Sequence, residues 1–336
     1  MKQATTKGLS LALLTFITSH SLAAPTGNHQ AVTAQTEVAI VALREGSLRL
    51  RRGKRISTIR QSTLLNFGDI IDVDNDTRAV IYQTYAPVIR LAARQSRTII
   101  ELSPPPPQNA LKPEEFSRLK RIYLNARQRR NEPSPVTMGG PENIVLTLIG
   151  LRNSAVLEPT FDWTHVNGAT RYVINVYDRN EKVIWTANTS DTRLAYPANR
   201  PPLVPGDYKW DVTAQVDNNT TGDPAMYDAS AFTVISKERT KEIEIDLANA
   251  RARVASDDGS ANLVYISALI EYRRLGQAVA ELKLSLERAP KDQTLWELLM
   301  ETYGQMKLWS ARENSRRLSE NPSVTAEMIR ALDARR

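Results

Sequence analysis

The 336-residue chain carries 41% hydrophobic and 24% charged residues, the proportions of a globular protein long enough for two or three domains. It contains no cysteine, which excludes disulfides, thiolate metal ligands, a thiol nucleophile and a cysteine-linked lipid anchor. Its formal charge of +7 sits toward the N-terminus: residues 24–103 carry eleven Lys/Arg against seven Asp/Glu and residues 104–133 seven against three, while 134–236 carry seven against eleven.

Lys2 and Lys7 precede the apolar run Leu9–Ile17, and Ser21-Leu22-Ala23 offers small residues at the positions a signal peptidase reads. Residues 1–23 are expected to be a signal peptide cleaved after Ala23, which places the mature protein in the periplasm. An uncleaved anchor is the weaker reading, because the run is short and the stretch holds Thr15, Thr18 and Ser19. Residues 24–36 are polar and aperiodic, a flexible tether. No later run is long enough to span a bilayer as a helix. For an exported protein, a basic N-terminal third points to an anionic envelope partner rather than to nucleic acid.

From Glu37 the pattern is short strands punctuated by Gly and Asp turns: Val38–Val41, Leu48-x-Leu50, Ile56 to Ile59, Ile70–Val73, Ala79 to Ile81, Val88–Leu91 and Ile99 to Leu102. This reads as an all-β module over 37–103. Gly46-x-Leu48-x-Leu50-x-x-Gly53, Leu65-Asn66-Phe67-Gly68-Asp69-Ile70-Ile71, Arg78–Ile81 and Val88–Leu91 resemble the FecR-type periplasmic domain. Thr84-Tyr85-Ala86-Pro87 stands where that family has an Asp-Gly-Ser turn. The resemblance implies an envelope protein of signalling or partner binding and implies no catalysis.

Residues 104–133 form a proline spacer, Pro104–Pro107, and a basic helix. The helix starts at Pro113-Glu114-Glu115 and puts Phe116, Leu119, Ile122 and Tyr123 on one stripe. Arg118, Lys120, Arg121, Arg127, Arg129 and Arg130 occupy the other face, read as a solvated connector or, more sharply, as a helix touching anionic lipid or polymer.

Residues 134–236 read as a second β module, beginning with a strand at Asn143–Leu151. Phe161/Trp163, Tyr172/Ile174/Val176 and Tyr208/Trp210/Val212 alternate with period two, so each set faces a core. The W-x-x-V-x-G-A-x-x-Y run from Trp163 and the L-x-P-G-x-Y-x-W run from Leu203 resemble a fibronectin type III-like domain, implying an immunoglobulin-type β-sandwich.

From Lys237 the periodicity is helical. A helix is expected over Glu238–Ala255, with Ser260 as a cap for the next; turns are expected at Gly276 and after Gly304, and a last helix from Val324. Recurrence at about thirty-two residues, from Pro290 to Pro322, together with Leu286–Asp292 and the Trp296/Leu299/Tyr303 trio, resembles tetratricopeptide repeats over 237–336.

Catalytic chemistry finds few candidates. His29 falls in the tether and His165 in a loop, and a lone folded His makes neither a His-based metal site nor a triad on its own. Asp72-x-Asp74-x-Asp76, next to Asp69, imitates the start of a calcium loop, but Thr77 and Gln83 stand where glycine and the twelfth-position acid belong. Turn chemistry is the default for these carboxylates, a loose cation site the alternative. The expectation is therefore a multidomain β-then-α protein: a FecR-like module, an Ig/fibronectin type III-like sandwich and C-terminal α-helical hairpin repeats. It would act as an exported, non-enzymatic scaffold with no cofactor and no metal. Two contact surfaces follow. Arg49, Arg51, Arg52, Lys54 and Arg55 of the basic hairpin face an envelope component, and Trp296, Tyr303 and Trp309 anchor a peptide in the groove of the repeats, provided they are exposed. Envelope proteins and peptidoglycan or another anionic glycan are the partners expected. A glycan-binding envelope protein and a partner of a membrane-bound anti-sigma system are the alternatives.

Overall fold

The computed structural model describes residues 37–60, 62–75, 77–100, 110–129, 146, 148, 151, 154–216, 227–252, 262–321 and 323–332. The expected signal peptide and tether, the proline run, Asp76, Arg130, Ser260 and most of the expected strand Asn143–Leu151 lie outside these residues. A β-rich N-terminal region with antiparallel sheets is followed by a C-terminal helical region. Among the described residues no helix is long and apolar enough to cross a membrane.

The first region contains β1 (Glu37–Glu45), β2 (Leu48–Arg52), β3 (Arg55–Ile59), β4 (Thr63–Asn66), β5 (Ile70–Val73), β6 (Arg78–Gln83), β7 (Ile89–Leu91) and β8 (Ser96–Thr98). They form two four-stranded sheets, β4-β1-β6-β7 and β3-β2-β5-β8. Because side chains alternate across a strand, β1 and β6 each send two sets to opposite faces. Ala39, Val41, Ala79 and Ile81 meet Leu48, Leu50, Ile71 and Val73 between the sheets. Ile40, Ala42, Val80 and Tyr82 face the other way, into the core of the helical region. The unbroken runs Ala39–Ala42 and Ala79–Tyr82 are the pattern of strands covered on both faces.

α1 (Pro113–Arg129) is the cover. Proline at its first position and Glu114 and Glu115 in its first turn start it as read from the sequence. It is more than a solvated connector, however, because its apolar stripe is covered. Phe116, Leu119, Ile122, Tyr123 and Ala126 are buried in the same core as Ile40 and Tyr82. α1 lies against two helices of the C-terminal region, described below. Four of its cations pair with acids elsewhere in the chain: Arg118 meets Asp246 at 2.9 Å, Lys120 meets Glu37 at 2.9 Å, Arg121 meets Glu271 at 2.5 Å and Arg129 meets Glu301 at 3.3 Å. Arg118 is nearly buried and also stacks on Tyr272, with 5.1 Å from guanidinium carbon to ring centroid.

The second β module holds β9 (Ala155–Val156), β10 (Thr160–Asp162), β11 (Ala169–Tyr177), β12 (Val183–Thr189), β13 (Arg193–Ala195), β14 (Gly206–Val216) and β15 (Tyr227–Val234). A five-stranded sheet, β12-β11-β14-β15-β9, faces the two-stranded β10-β13 across the predicted aromatic core. Phe161, Trp163, Tyr172, Trp210 and Phe232 are all buried there, so these rings offer no stacking surface to a sugar. Leu148, within the expected first strand, bridges Trp163.

The helical region comprises α2 (Lys237–Ala252), α3 (Leu263–Glu271), α4 (Leu275–Arg288), α5 (Gln293–Gln305), α6 (Trp309–Ser319) and α7 (Ala326–Arg330). The helices against which α1 lies are α3 and α5, the first members of consecutive hairpins. The cap of α3 is Asn262, whose side chain accepts from the Tyr265 amide and donates to the Ala250 and Arg251 carbonyls of α2. Asp292 caps α5 by accepting from the Thr294 and Leu295 amides. The first turn falls before Gly276 rather than on it, and the second comes after Gly304 as expected. Arg273 (φ +55°) and Lys307 (φ +57°) take the left-handed positions, while Gly276 and Gly304 lie inside α4 and α5. The described residues of 37–100, 110–129 and 237–332 thus contribute to one core, and Ser62 ties its parts together. Its carbonyl accepts from the Tyr123 hydroxyl and its own hydroxyl bonds Thr294.

Candidate functional site

The peptide groove expected in the helical hairpins is filled. α1 occupies the face formed by α3 and α5, and Trp296 and Tyr303 are buried in that shared core. Trp296 additionally donates its indole N–H to the Pro290 carbonyl at 2.8 Å. Neither ring is available as an anchor, because the apolar stripe that predicted a groove is covered by the chain itself. Trp309 is half-buried beside Arg312.

The basic hairpin divides into two populations. Arg52 is structural. Its Nε and Nη2 form a fork on Asp69 at 3.0 and 2.7 Å, and Nη2 also donates to the Leu64 carbonyl at 3.2 Å. The Asp69 carboxylate is 2% exposed and also accepts the Asn66 amide at 2.8 Å. That hydrogen-bonded fork raises the Arg52 guanidinium pKa above its usual value. Gly68 at φ +80° lets the turn place Asp69 there. Lys54 and Arg55 lie at the exposed hairpin tip.

Arg49 and Arg51 behave differently. The register Leu50↔Ile71 and Leu48↔Val73 buries the leucines and leaves both arginines on the outer face of the β3-β2-β5-β8 sheet. There they line an open cleft of about 1040 Å³, joined by Arg60, Arg94, Asp72 and Asp74. Arg49 leans toward Asp74 at 3.8 Å and Arg51 toward Asp72 at 3.6 Å, with both guanidiniums about half exposed. Pairs this long and this wet contribute about 0–1 kcal/mol, so the forks are free to exchange partners. Arg60 has no carboxylate within ion-pair distance among the described residues. Arg94 donates from Nε to Asn75 Oδ1 at 2.8 Å and is held at φ +63°, with its amide bonded to the Val73 carbonyl. A non-glycine residue there costs about 1 kcal/mol or more, and such strain gathers where a side chain is needed in one place.

Asp72 and Asp74 are engaged by serine and arginine, while Asp76 of the same run lies outside the described residues. Ser96 donates to Asp72 at 2.6 Å, Ser47 donates to Asp74 at 3.0 Å, and Arg51 and Arg49 reach the same carboxylates at 3.6 and 3.8 Å. Among the described residues no group of three His, Cys, Asp or Glu side chains is placed to hold a metal. His165 stands in the second β module, 3.4 Å from the Tyr172 hydroxyl, remote in sequence and module from the cleft.

Arg60 and Arg94 were not among the residues read from the sequence as contacts. Arg60 was within reach of counting: with Arg52↔Arg55 flanking a two-residue turn, residues 58 and 60 share the face of Arg49 and Arg51. Arg94 was not, because its place depends on the turn before β8 crossing the end of β5.

No family model matches the chain, and no curated protein matches it. Among solved structures it is similar to a β-1,2-glucanase from Parabacteroides distasonis, at 13% identity and a TM-score of 0.22; the match covers 81% of this chain and 38% of that one. At that score the likeness carries no argument about fold or activity.

Proposed function

We propose that the chain is an exported periplasmic scaffold that holds an anionic envelope component against its N-terminal module and performs no catalysis. In this reading 37–103 is a FecR-type domain, 134–236 a fibronectin type III-like sandwich and 237–336 a set of degenerate tetratricopeptide-like hairpins. The hairpins serve as a clamp on α1 rather than as a receptor. The observation that carries the reading is the arginine cleft. Arg118, Lys120, Arg121 and Arg129 of α1 pair with Asp246, Glu37, Glu271 and Glu301 at 2.5–3.3 Å, whereas Arg49 and Arg51 reach Asp74 and Asp72 only at 3.8 and 3.6 Å and, with Arg60 and Arg94, line the open cleft. The two carboxylates that line the cleft among the described residues are both engaged by serine and arginine, an arrangement suited to holding a ligand rather than to moving a proton.

The test is cell fractionation of the tagged full-length chain. The wild type is expected with the envelope at low salt and in the soluble fraction at high salt, since exposed charge contacts are screened. Arg49→Glu with Arg94→Glu is expected to release it at low salt. Retention of that variant on the envelope, or a wild type found soluble at every salt concentration, refutes the reading.

A further inference from the structure

The cleft has both signs of charge, and their arrangement narrows what it can hold. Arg49 and Arg51 sit two residues apart on β2, so their stems project about 7 Å from one another along the strand. Arg60 and Arg94 supply further guanidiniums in the same cleft. Between them, among the described residues, stand the carboxylates of Asp72 and Asp74, which accept hydrogen bonds and donate none. A ligand made only of closely spaced phosphates meets Asp72 and Asp74 as like charges. A flat anionic bilayer does not enter a concave site. A neutral glycan supplies no counter-charge to Arg60 and Arg94, which have no carboxylate within ion-pair distance among the described residues, and leaves Arg49 and Arg51 with only their long pairs to Asp74 and Asp72. A strand bearing both carboxylates and hydroxyls satisfies every group: its carboxylates take the arginine forks in bidentate fashion, and its hydroxyls donate to Asp72 and Asp74. The sheet also offers an apolar shelf. Ile56, which is 62% exposed, pairs across the strands with Arg51, and Ile70 flanks Arg51 on the other side. Such a shelf suits the C–H face of a sugar ring.

We infer that the cleft is a binding site for a carboxylate-bearing polysaccharide strand, with Arg49, Arg51, Arg60 and Arg94 reading the carboxylates and Asp72 and Asp74 selecting for hydroxyls. The inference rests on the proposed envelope-scaffold reading and specifies its ligand. Peptidoglycan and a uronate polymer share this chemistry.

The experiment measures binding of the purified full-length chain to four probes: solubilised peptidoglycan fragments, polygalacturonate, carbodiimide-amidated polygalacturonate and polyphosphate. Binding to peptidoglycan, to polygalacturonate or to both is expected, and which of them binds identifies the source of the carboxylates. Amidation is expected to abolish polygalacturonate binding where it occurs, and polyphosphate is expected to bind at least tenfold more weakly. Arg49→Gln and Arg51→Gln are each expected to weaken binding about tenfold. Asp74→Asn is expected to narrow the gap between carboxylated glycan and polyphosphate. Arg94→Gly removes the guanidinium and gives the +63° backbone a residue that suits it. Its melting temperature is expected to hold or rise while binding falls, a combination that a purely structural role for Arg94 does not produce. Polyphosphate binding as tightly as the carboxylated probes overturns the inference, as does binding unchanged by Arg49→Gln and Arg94→Gly. Failure of both carboxylated probes, alongside cleft-dependent retention on envelopes, overturns the ligand class and leaves the scaffold reading standing. Envelope retention that ignores the cleft overturns the scaffold reading even if the probes bind in solution.

Discussion

Leu119→Ala in α1 tests whether the N-terminal and C-terminal segments fold as one unit. Leu119 is 2% exposed, within a core that contains Ile40 and Tyr82 of the first module and Leu269 and Leu299 of the helices. The substitution deletes three carbon groups, worth about 0.8 kcal/mol each in transfer free energy, plus a cavity term that grows with whatever space does not collapse. Alanine recovers a few tenths of a kcal/mol through helix propensity, which leaves a net loss of about 2.5–4 kcal/mol. Leu124→Ala is the internal control. It is the same change in the same helix at a residue that is 40% exposed, expected to cost under about 0.5 kcal/mol. Urea denaturation followed by far-UV circular dichroism and tryptophan fluorescence reads both. Loss of the shared core lowers the midpoint of the transition that reports Trp296, which shares it, and leaves the transition of the aromatic core around Trp210 where it was. Equal midpoints for the two variants, or a loss below about 1 kcal/mol for Leu119→Ala, would refute the shared core and return α1 to the status of a connector.

Three further outcomes are expected. Asp69→Asn is expected to lower stability by about 1–3 kcal/mol, because it removes the charge-assisted fork to Arg52 from a buried acceptor; Arg55→Ala at the exposed tip of the same hairpin should stay within about 0.5 kcal/mol, both read by urea denaturation. Tyr177 has its phenol pKa pushed well above the ordinary range, first by burial and then by its hydrogen bond to Asp211. Its contribution is therefore present below about pH 10, the unfolded value, and is lost as pH rises beyond it; Tyr177→Phe should flatten the fall in stability measured from pH 9.5 to 11. Asn262→Ala leaves one amide of α3 and two carbonyls of α2 without this partner, and should cost about 1–2 kcal/mol in thermal or chemical denaturation.

Much of the local structure was legible in the residues. The Gly-Asp turns, the period-two aromatic strands and the start of α1 at Pro113 each depend on neighbours within a few positions, and the structure has them close to where the pattern put them. The turn expected at Gly276 falls earlier, since composition shows which residue tolerates a left-handed backbone but not where a hairpin must bend. Arg273 and Lys307 accept that strain so that the helices on either side can bury their stripes. The basic hairpin was the right neighbourhood for the candidate site, yet Arg52 and Arg51 are adjacent in sequence and have opposite fates. Strand alternation sends one to a buried aspartate and the other to the cleft.

The chain by itself placed most of the strands and helices and the apolar face of each, because both follow from periods of two and 3.6 residues read in short windows, but not β4 or β8, the latter lying just before the expected strand Ile99 to Leu102. It could not determine what covers an apolar face. The stripe of α1, the doubly apolar strands β1 and β6 and the aromatic face of α5 were three unpartnered surfaces until folding set them against one another. Charge behaves in the same way. A run of arginines in α1 looks like a basic surface until acids 128, 150 and 172 residues later arrive beside Arg118, Arg121 and Arg129, whereas the cations that stay on the surface are those the sheet leaves facing solvent. Burial and neutralisation are pairwise, long-range quantities, and only the tertiary structure decides them.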